Sequence, residues 1–503
     1  MGKPNQHKVA VIGAGFAGLS AAAYLAKMGF EVEVFEKNES IGGRARQIHS
    51  DEGYVFDMGP SWYWMPNVFD KFFNDFGYTT SDFYQLLLLD PSFSVIFGKD
   101  DVLAIPADYQ ALKTLFESIE EGSGDQLDKF MEEAEFKYKV GMENLVYKPG
   151  LSLFEFADLD FLKGMFKLQV FTSFSKHVKK FFSHPKLLAL MEFPVLFLGA
   201  TPEQTPALYS LMNYAGLKLG TWYPVGGFGM IIKAMHQVCE NLGVKFHFGE
   251  PIDQLTVVGT SIHKVVSKKA TYQFDSIVAA ADYHHVDTKL LPSSFGNYSE
   301  SYWNKRVLAP SSLIFYVGVK KKVDRLQHHN LFFDEDLKVH AEEIYQSPRW
   351  PSKPLFYVSC ASKTDDSVAP EGHENLFILI PIATDLKDTD EIRERYYHLV
   401  MERLEAYCQQ AIRGDVDYLK SYCVKDFVAD YHSFKGNAYG LANTLMQTAN
   451  LKPSIKHKRL KNMFYAGQLT VPGPGVPPSL ISGEVAAKQV YKYVNARVYE
   501  GNI

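Results

Sequence analysis

Two glycine-rich segments at opposite ends of the chain bring together residue types that bind phosphates. The first, VAVIGAGFAGLS, spans residues 9–20. Gly13 permits a sharp turn, and Gly15 has no side chain to hold the backbone away from a phosphate. Gly18 lets a following helix pack against the preceding strand. Phe16 and Ala17 open that helix, whose N-terminal amides and dipole favour negative charge. Glu36 follows about 20 residues after Gly15, the spacing at which a carboxylate meets ribose hydroxyls, and it would repel a 2′-phosphate. These residues predict a dinucleotide held by its pyrophosphate.

Further candidates come next in the chain. Lys37 stands beside Glu36. The run IGGRAR at 41–46 pairs a tight backbone at Gly43 with Arg44, whose planar fork suits phosphate oxygens. On their own Arg44 and Arg46 read as a solvated basic pair; their place after Glu36 favours phosphate contact for Arg44. The run FDMGPSW at 56–62 adds Met58, Gly59, Pro60 and Ser61. The second glycine-rich segment, FYAGQLTVPGPGVP at 464–477, supplies Gly467, Gly475, Val476 and Pro477. Its glycines and prolines predict a rigid loop feeding a helix that begins near residue 478. It reads as a second approach to the same cofactor from the far terminus.

Together these segments resemble the two-dinucleotide-binding-domain flavoproteins of the amine oxidase and phytoene desaturase superfamily. The resemblance implies FAD. It places residues 42–44 along the cofactor, the Gly-Pro step near the flavin ring, and the backbone of Ile252 at the adenine end. The run YPVGGFGM at 223–230 is similar to the family's Pro-x-Gly-Gly turn. The C-terminal pattern Gly-x-x-Thr-x-Pro-Gly-x-Gly-x-Pro, with WYWM at 62–65, is most similar to bacterial phytoene desaturases. That implies stepwise FAD-dependent dehydrogenation of a long apolar isoprenoid, phytoene to lycopene first, with oxygen or a quinone taking the electrons. The alternatives are 3,4-desaturation of a hydroxylated carotenoid, a flavin-dependent polyene isomerase or saturase, and a non-catalytic prenyl-lipid binding protein. An amine oxidase is disfavoured, since no cysteine stands near residues 467–477 to hold a flavin covalently. No catalytic acid or base is identified. His284 and His285 follow a strand end, but adjacent residues do not share a face; Tyr431, His432 and Arg306 have no better support.

These residues need a scaffold. The apolar run at 9–12 predicts a buried parallel strand and 274–282 a buried strand ending in an acid, with further strands over 31–35 and 244–248 and a helix over 16–28. The fold class is therefore α/β. The resemblance makes it a Rossmann-like FAD domain of the glutathione reductase 2 type, with an inserted antiparallel-sheet substrate domain and a helical, membrane-associating subdomain. The boundaries expected are 1–80, 215–290 and 445–503 for the FAD domain, 81–105 and 291–444 for the substrate domain, and 106–214 for the helical part. Runs at 312–319, 355–359 and 375–380 predict a sheet with one face on a pocket, and 390–408 a solvated helix.

With 503 residues and 46% apolar content the chain supports several domains around full cores. A net charge of −6 gives no reason to expect nucleic acid. Its four cysteines have no metal-ligand spacing and fit a reducing cytoplasm. No run is long and charge-free enough to span a bilayer. Residues 161–191 lack Asp and Glu and interleave lysines with phenylalanines. This pattern fits a peripheral contact with the inner face of the cell membrane, or equally a core-facing Phe stripe with a solvated basic face.

Overall fold

The computed structural model describes residues 7–152, 168–196 and 199–500. A five-stranded parallel sheet lies beneath the first glycine motif. Its strand order is Met463–Tyr465, Ser276–Ala279, Lys8–Ile12, Glu31–Phe35 and Lys245–His247. Val11 is paired with Val278 on one side and Val34 on the other. The central strands Lys8–Ile12 and Ser276–Ala279 are buried and largely apolar because both faces are covered, whereas Glu31, Glu33, Lys245 and His247 mark the more exposed edge. Val9, Val11, Val32 and Val34 pack against helix Phe16–Lys27 and helix Val476–Glu500. Ala10, Ile12 and Phe35 pack against Leu255, Ile262 and Val265 of a small three-stranded antiparallel sheet.

The two helices that cover the first face touch closely. Ser20 Oγ donates to the Leu480 carbonyl at 2.7 Å. A Cβ on Gly483 would stand 2.3 Å from the Ala17 carbonyl oxygen. The N-terminal helix ends at Lys27, with Gly29 left-handed behind it at φ +93°. The C-terminal helix starts at Val476, two residues before its predicted start, because the Pro477-Pro478 pair fits the first turn, where no N–H bond is lost.

The second sheet has seven strands in the order Val416–Tyr422, Ser311–Val319, Glu374–Ile382, Phe356–Ser359, His329–Phe332, Phe93–Gly98 and Asp101–Ile105. It is antiparallel except where His329–Phe332 runs parallel to Phe93–Gly98. Leu313, Phe315 and Val317 pack beneath helix Asp390–Cys408, while Ile314, Tyr316 and Tyr357 face the other way. Helices Tyr109–Ile119, Ser123–Val140 and Pro185–Leu196 close over that second face.

In the basic, Phe-rich stretch, Phe161, Phe166, Lys163 and Lys167 lie outside the described residues. Among the rest, Phe174 and Phe182 are buried against Phe116 and Phe130, while Lys176, Lys179 and Lys180 are solvated. That is a core-facing stripe; Phe171, 74% exposed, is the exception. All four cysteines are buried and free. Among the described residues no His, Cys, Asp and Glu cluster could hold a metal, and no helix is long and apolar enough to cross a membrane.

Candidate functional site: a dinucleotide cleft continuous with an apolar cavity

A single cavity of about 740 Å³ runs from the glycine turns to the helical cover. Of the residues singled out from sequence, Gly13, Gly15, Phe16, Ala17, Glu36, Lys37, Gly43 and Arg44 line it. So do Met58, Gly59, Pro60, Ser61, Ile252, Gly467, Gly475, Val476 and Pro477. Gly18 does not. It sits behind the wall, where a Cβ would stand 1.9 Å from the Gly13 carbonyl oxygen, so its part is helix-to-strand packing and not ligand contact.

Glu36 ends its strand at the cleft floor, 5% exposed. Its Oε2 accepts the Ala14 N–H at 2.9 Å, and Oε1 accepts the Asn38 N–H at 2.9 Å. The carboxylate is thus fixed under the turn by backbone donors. Lys37 turns its ammonium to the Ala429 carbonyl. Gly15 and Gly43 face each other across the cleft: a Cβ on Gly43 would be 3.3 Å from Gly15 Cα. Arg44 lies over the Tyr431 ring at 4.8 Å and donates to Ser433 Oγ at 3.2 Å and to the Asn437 carbonyl at 3.3 Å. Its Nε is buried with no partner, and burial lowers its pKa. A buried guanidinium edge with an unspent donor, opposite two bare glycines, fits a pyrophosphate.

Beside this end stand three groups the sequence singled out without assigning them. His285 and His432 stack at 3.9 Å, and both line the cavity with Tyr431. Burial pushes the His285 pKa down to about 3, so it is neutral. His284 instead meets Glu300 and Phe434, and Arg306 stacks on Tyr302, both away from the wall. Asp282 caps the turn after its strand, accepting the His285 N–H at 3.0 Å and the Phe434 N–H at 3.2 Å; burial raises its pKa.

At the other end the wall is apolar: Met142, Leu145, Leu168, Val170, Phe193 and Leu208. Between the two ends runs a buried hydrogen-bonded chain. Ser61 Oγ meets Tyr357 Oη at 3.0 Å, and Tyr357 Oη meets His329 Nδ1 at 2.6 Å. Trp62 stacks on His329 at 4.3 Å. His329 is fully buried, and desolvation holds it neutral. Sequence reasoning missed Tyr357 and His329. Each is an ordinary strand residue, and only the sheet register brings them opposite Ser61.

The model for flavin-containing amine oxidoreductases matches residues 16–491. The chain belongs to that family. It is an FAD-dependent oxidoreductase, as the unspent Arg44 donor and the bare glycine pair already fit. Among curated relatives, the carotenoid 3,4-desaturase of Haloarcula japonica is 38% identical over 481 residues, covering 95% of this chain and 97% of that protein. The zeta-carotene-forming phytoene desaturase of Myxococcus xanthus is 29% identical, covering 97% of this chain and 95% of that one. In fold, the chain is similar to the solved cyclohexylamine oxidase of Brevibacterium oxydans, with a TM-score of 0.59 at 14% identity, covering 97% of this chain and 100% of that one. A putrescine oxidase bound to putrescine gives a TM-score of 0.62 at 12% identity, covering 97% and 99%.

Proposed function

We propose that the chain is a carotenoid desaturase, and that the bond it oxidises is a 3,4 bond. The observation that carries the reaction class is the continuity of the cavity. One end offers the backbone, the carboxylate and the guanidinium that suit FAD, and the other offers mainly apolar side chains. The likeness to the Haloarcula japonica 3,4-desaturase over nearly both full lengths supports the finer choice. It favours 3,4-desaturation over the phytoene-to-lycopene sequence expected first.

When bound, FAD supplies the hydride acceptor that no side chain provides. The residues of the chain do the rest. Glu36, held by the Ala14 and Asn38 amides, takes the ribose hydroxyls. The Gly15 and Gly43 turns and Arg44 take the phosphates. Met58 to Ser61 and the 467–477 loop flank the ring end, where Tyr316 Oη fixes the Met58 carbonyl at 2.7 Å. Phe193, Leu168 and Leu208 exclude water from the polyene, which keeps the developing charge away from solvent.

The membrane contact is part of the same reading. The lining residues Gly150 and Val170 neighbour exposed Leu151 and Phe171 in the chain, and Thr448 and Asn450 neighbour exposed Met446 and Leu451. An apolar rim at the cavity's edge suits uptake of an isoprenoid from a lipid leaflet on the inner face of the membrane. Oxygen or a quinone would be the electron acceptor.

The test is an anaerobic incubation of FAD-loaded protein with liposomes carrying either phytoene or an acyclic carotenoid saturated at its 3,4 bond, with and without quinone. Chromatography should show one added double bond in the second substrate, bleaching of the flavin, and unchanged phytoene. Lycopene from phytoene would overturn the 3,4 assignment. Both substrates unchanged over oxidised flavin would overturn carotenoid desaturation.

A further inference from the structure

Lys452 is 5% exposed, yet its ammonium has one hydrogen-bond partner, Asn443 Oδ1 at 2.8 Å. No carboxylate forms an ion pair with it among the described residues. Burial alone lowers its pKa, to about 7. Burying an ammonium without a counter-ion costs several kcal/mol. A neutral donor would hold Asn443 equally well, so the hydrogen bond alone does not account for a titratable ammonium at this place.

The surroundings say what. The ammonium presses on the backbone of Gly473, where a Cβ would stand 2.8 Å from Nζ. Gly473 belongs to the loop whose neighbours Val471, Pro472, Pro474 and Gly475 line the cavity, and Asn443 lines it too. The titratable groups packed on the other side of this segment are Tyr283 and Tyr298. Tyr283 Oη donates to the Ser454 carbonyl at 2.9 Å, and Tyr298 Oη accepts the Ser454 N–H at 2.9 Å. Burial keeps both phenols protonated. Lys452 is therefore a cation set against this loop at Gly473, three residues before helix Val476–Glu500 begins, and the N-terminal dipole of that helix has the same sign.

We propose that Lys452 is a positioning residue for the cofactor's charge: from behind the 471–475 loop it stabilises the negative charge of the reduced flavin and thereby sets its reduction potential. The inference rests on the reading that the flavin ring lies against this loop, and on no particular substrate.

Wild-type protein and the variants Lys452→Met and Lys452→Gln are loaded with FAD, and bound flavin is counted by absorbance. The midpoint potential is then read by dye equilibration under a chemical reductant from about pH 6 to about pH 9. The expected result is full flavin occupancy, with a midpoint lower by about 30 mV in the variants, a tenfold change for two electrons. The gap should be widest below pH 7 and close as pH rises, because the wild-type ammonium is charged in both redox states at low pH and in neither at high pH. Equal potentials at full occupancy would overturn the proposal and leave the flavin site standing. Failure of wild-type protein to bind FAD would overturn the site itself. Should neither variant hold flavin, the wild type decides: its potential must steepen with pH above about 7, as reduction draws a proton onto Lys452, and a slope without that segment overturns the proposal.

Discussion

At one end of the cavity the wall is largely backbone; at the other it is side chain. The glycine-rich end combines bare glycines and amides with fixed charges such as Glu36 and Arg44, and the segments that form it read as motifs. The apolar end gathers Met142, Leu168, Phe193 and Leu208 from four separate segments of the helical region, none with a motif. Phosphate recognition needs donors at set positions, which few residue types and spacings provide. An apolar wall needs only volume and shape, which many sequences provide. The first is therefore local and intolerant of change; the second is distributed and adjustable.

Substitutions should separate the two ends in that order. The largest effect is expected from Gly18→Ala, which drives a Cβ into the Gly13 carbonyl, 1.9 Å away. Backbone cannot yield as a flexible side chain does, so a loss above about 3 kcal/mol is expected, with little soluble holoprotein. Thermal unfolding and flavin content check this; a wild-type melting temperature would show that helix and strand can part at low cost.

Arg44→Met should sharpen the contrast. Removing a charge-assisted contact to phosphate costs about 1.5–3 kcal/mol of binding, or roughly 10–100-fold in FAD affinity. The apoprotein should lose less stability than the holoprotein, since the contacts to Ser433, Asn437 and Tyr431 are partly offset by removal of a buried donor without a partner. Flavin titration and apoprotein melting, taken together, check it; destabilised apoprotein with intact affinity would assign Arg44 to the fold and not to the ligand.

At the apolar end, Leu208→Trp fills part of the cavity. FAD affinity should stay within about twofold while KM for the carotenoid rises about tenfold, the equivalent of ~1.4 kcal/mol. A matching loss of flavin would show that the two ends are one site. The smallest effect is in pH. His285 is neutral in the fold down to about pH 3 but protonates near 6.5 when unfolded. Its depressed folded pKa therefore withdraws stability as pH falls from about 6.5 towards 3. Melting temperature against pH should slope down over that window, and less so in His285→Gln.

Much of the scaffold was legible because its signals are local. The central parallel strands appear as apolar runs, since both sheet faces are buried there, and helix Asp390–Cys408 shows its mixed charges as a solvated face. What escaped was what depends on partners. The Phe-rich basic stretch fitted a membrane or a core equally well, because a Phe stripe looks the same whether lipid or Phe116 and Phe130 cover it. The parallel pairing of His329–Phe332 with Phe93–Gly98 was not foreseen, since strand direction depends on the route of the connecting chain. Gly18 was legible as a helix–strand packing position from motif spacing, and its close approach to the Gly13 carbonyl agrees.

The sequence by itself determined the glycine-rich end: where the turns fall, which carboxylate follows them, and that both terminal segments return to one cavity. It did so because steric freedom at glycine and charge at a fixed spacing are properties of short segments. The tertiary structure alone decided that Tyr357 and His329 stand behind Ser61, that Lys452 backs the C-terminal loop with no carboxylate paired to it among the described residues, and that the glycine-lined cleft and the apolar cavity are one space. These depend on distances between residues hundreds of positions apart, and only the packing of sheets and helices sets those.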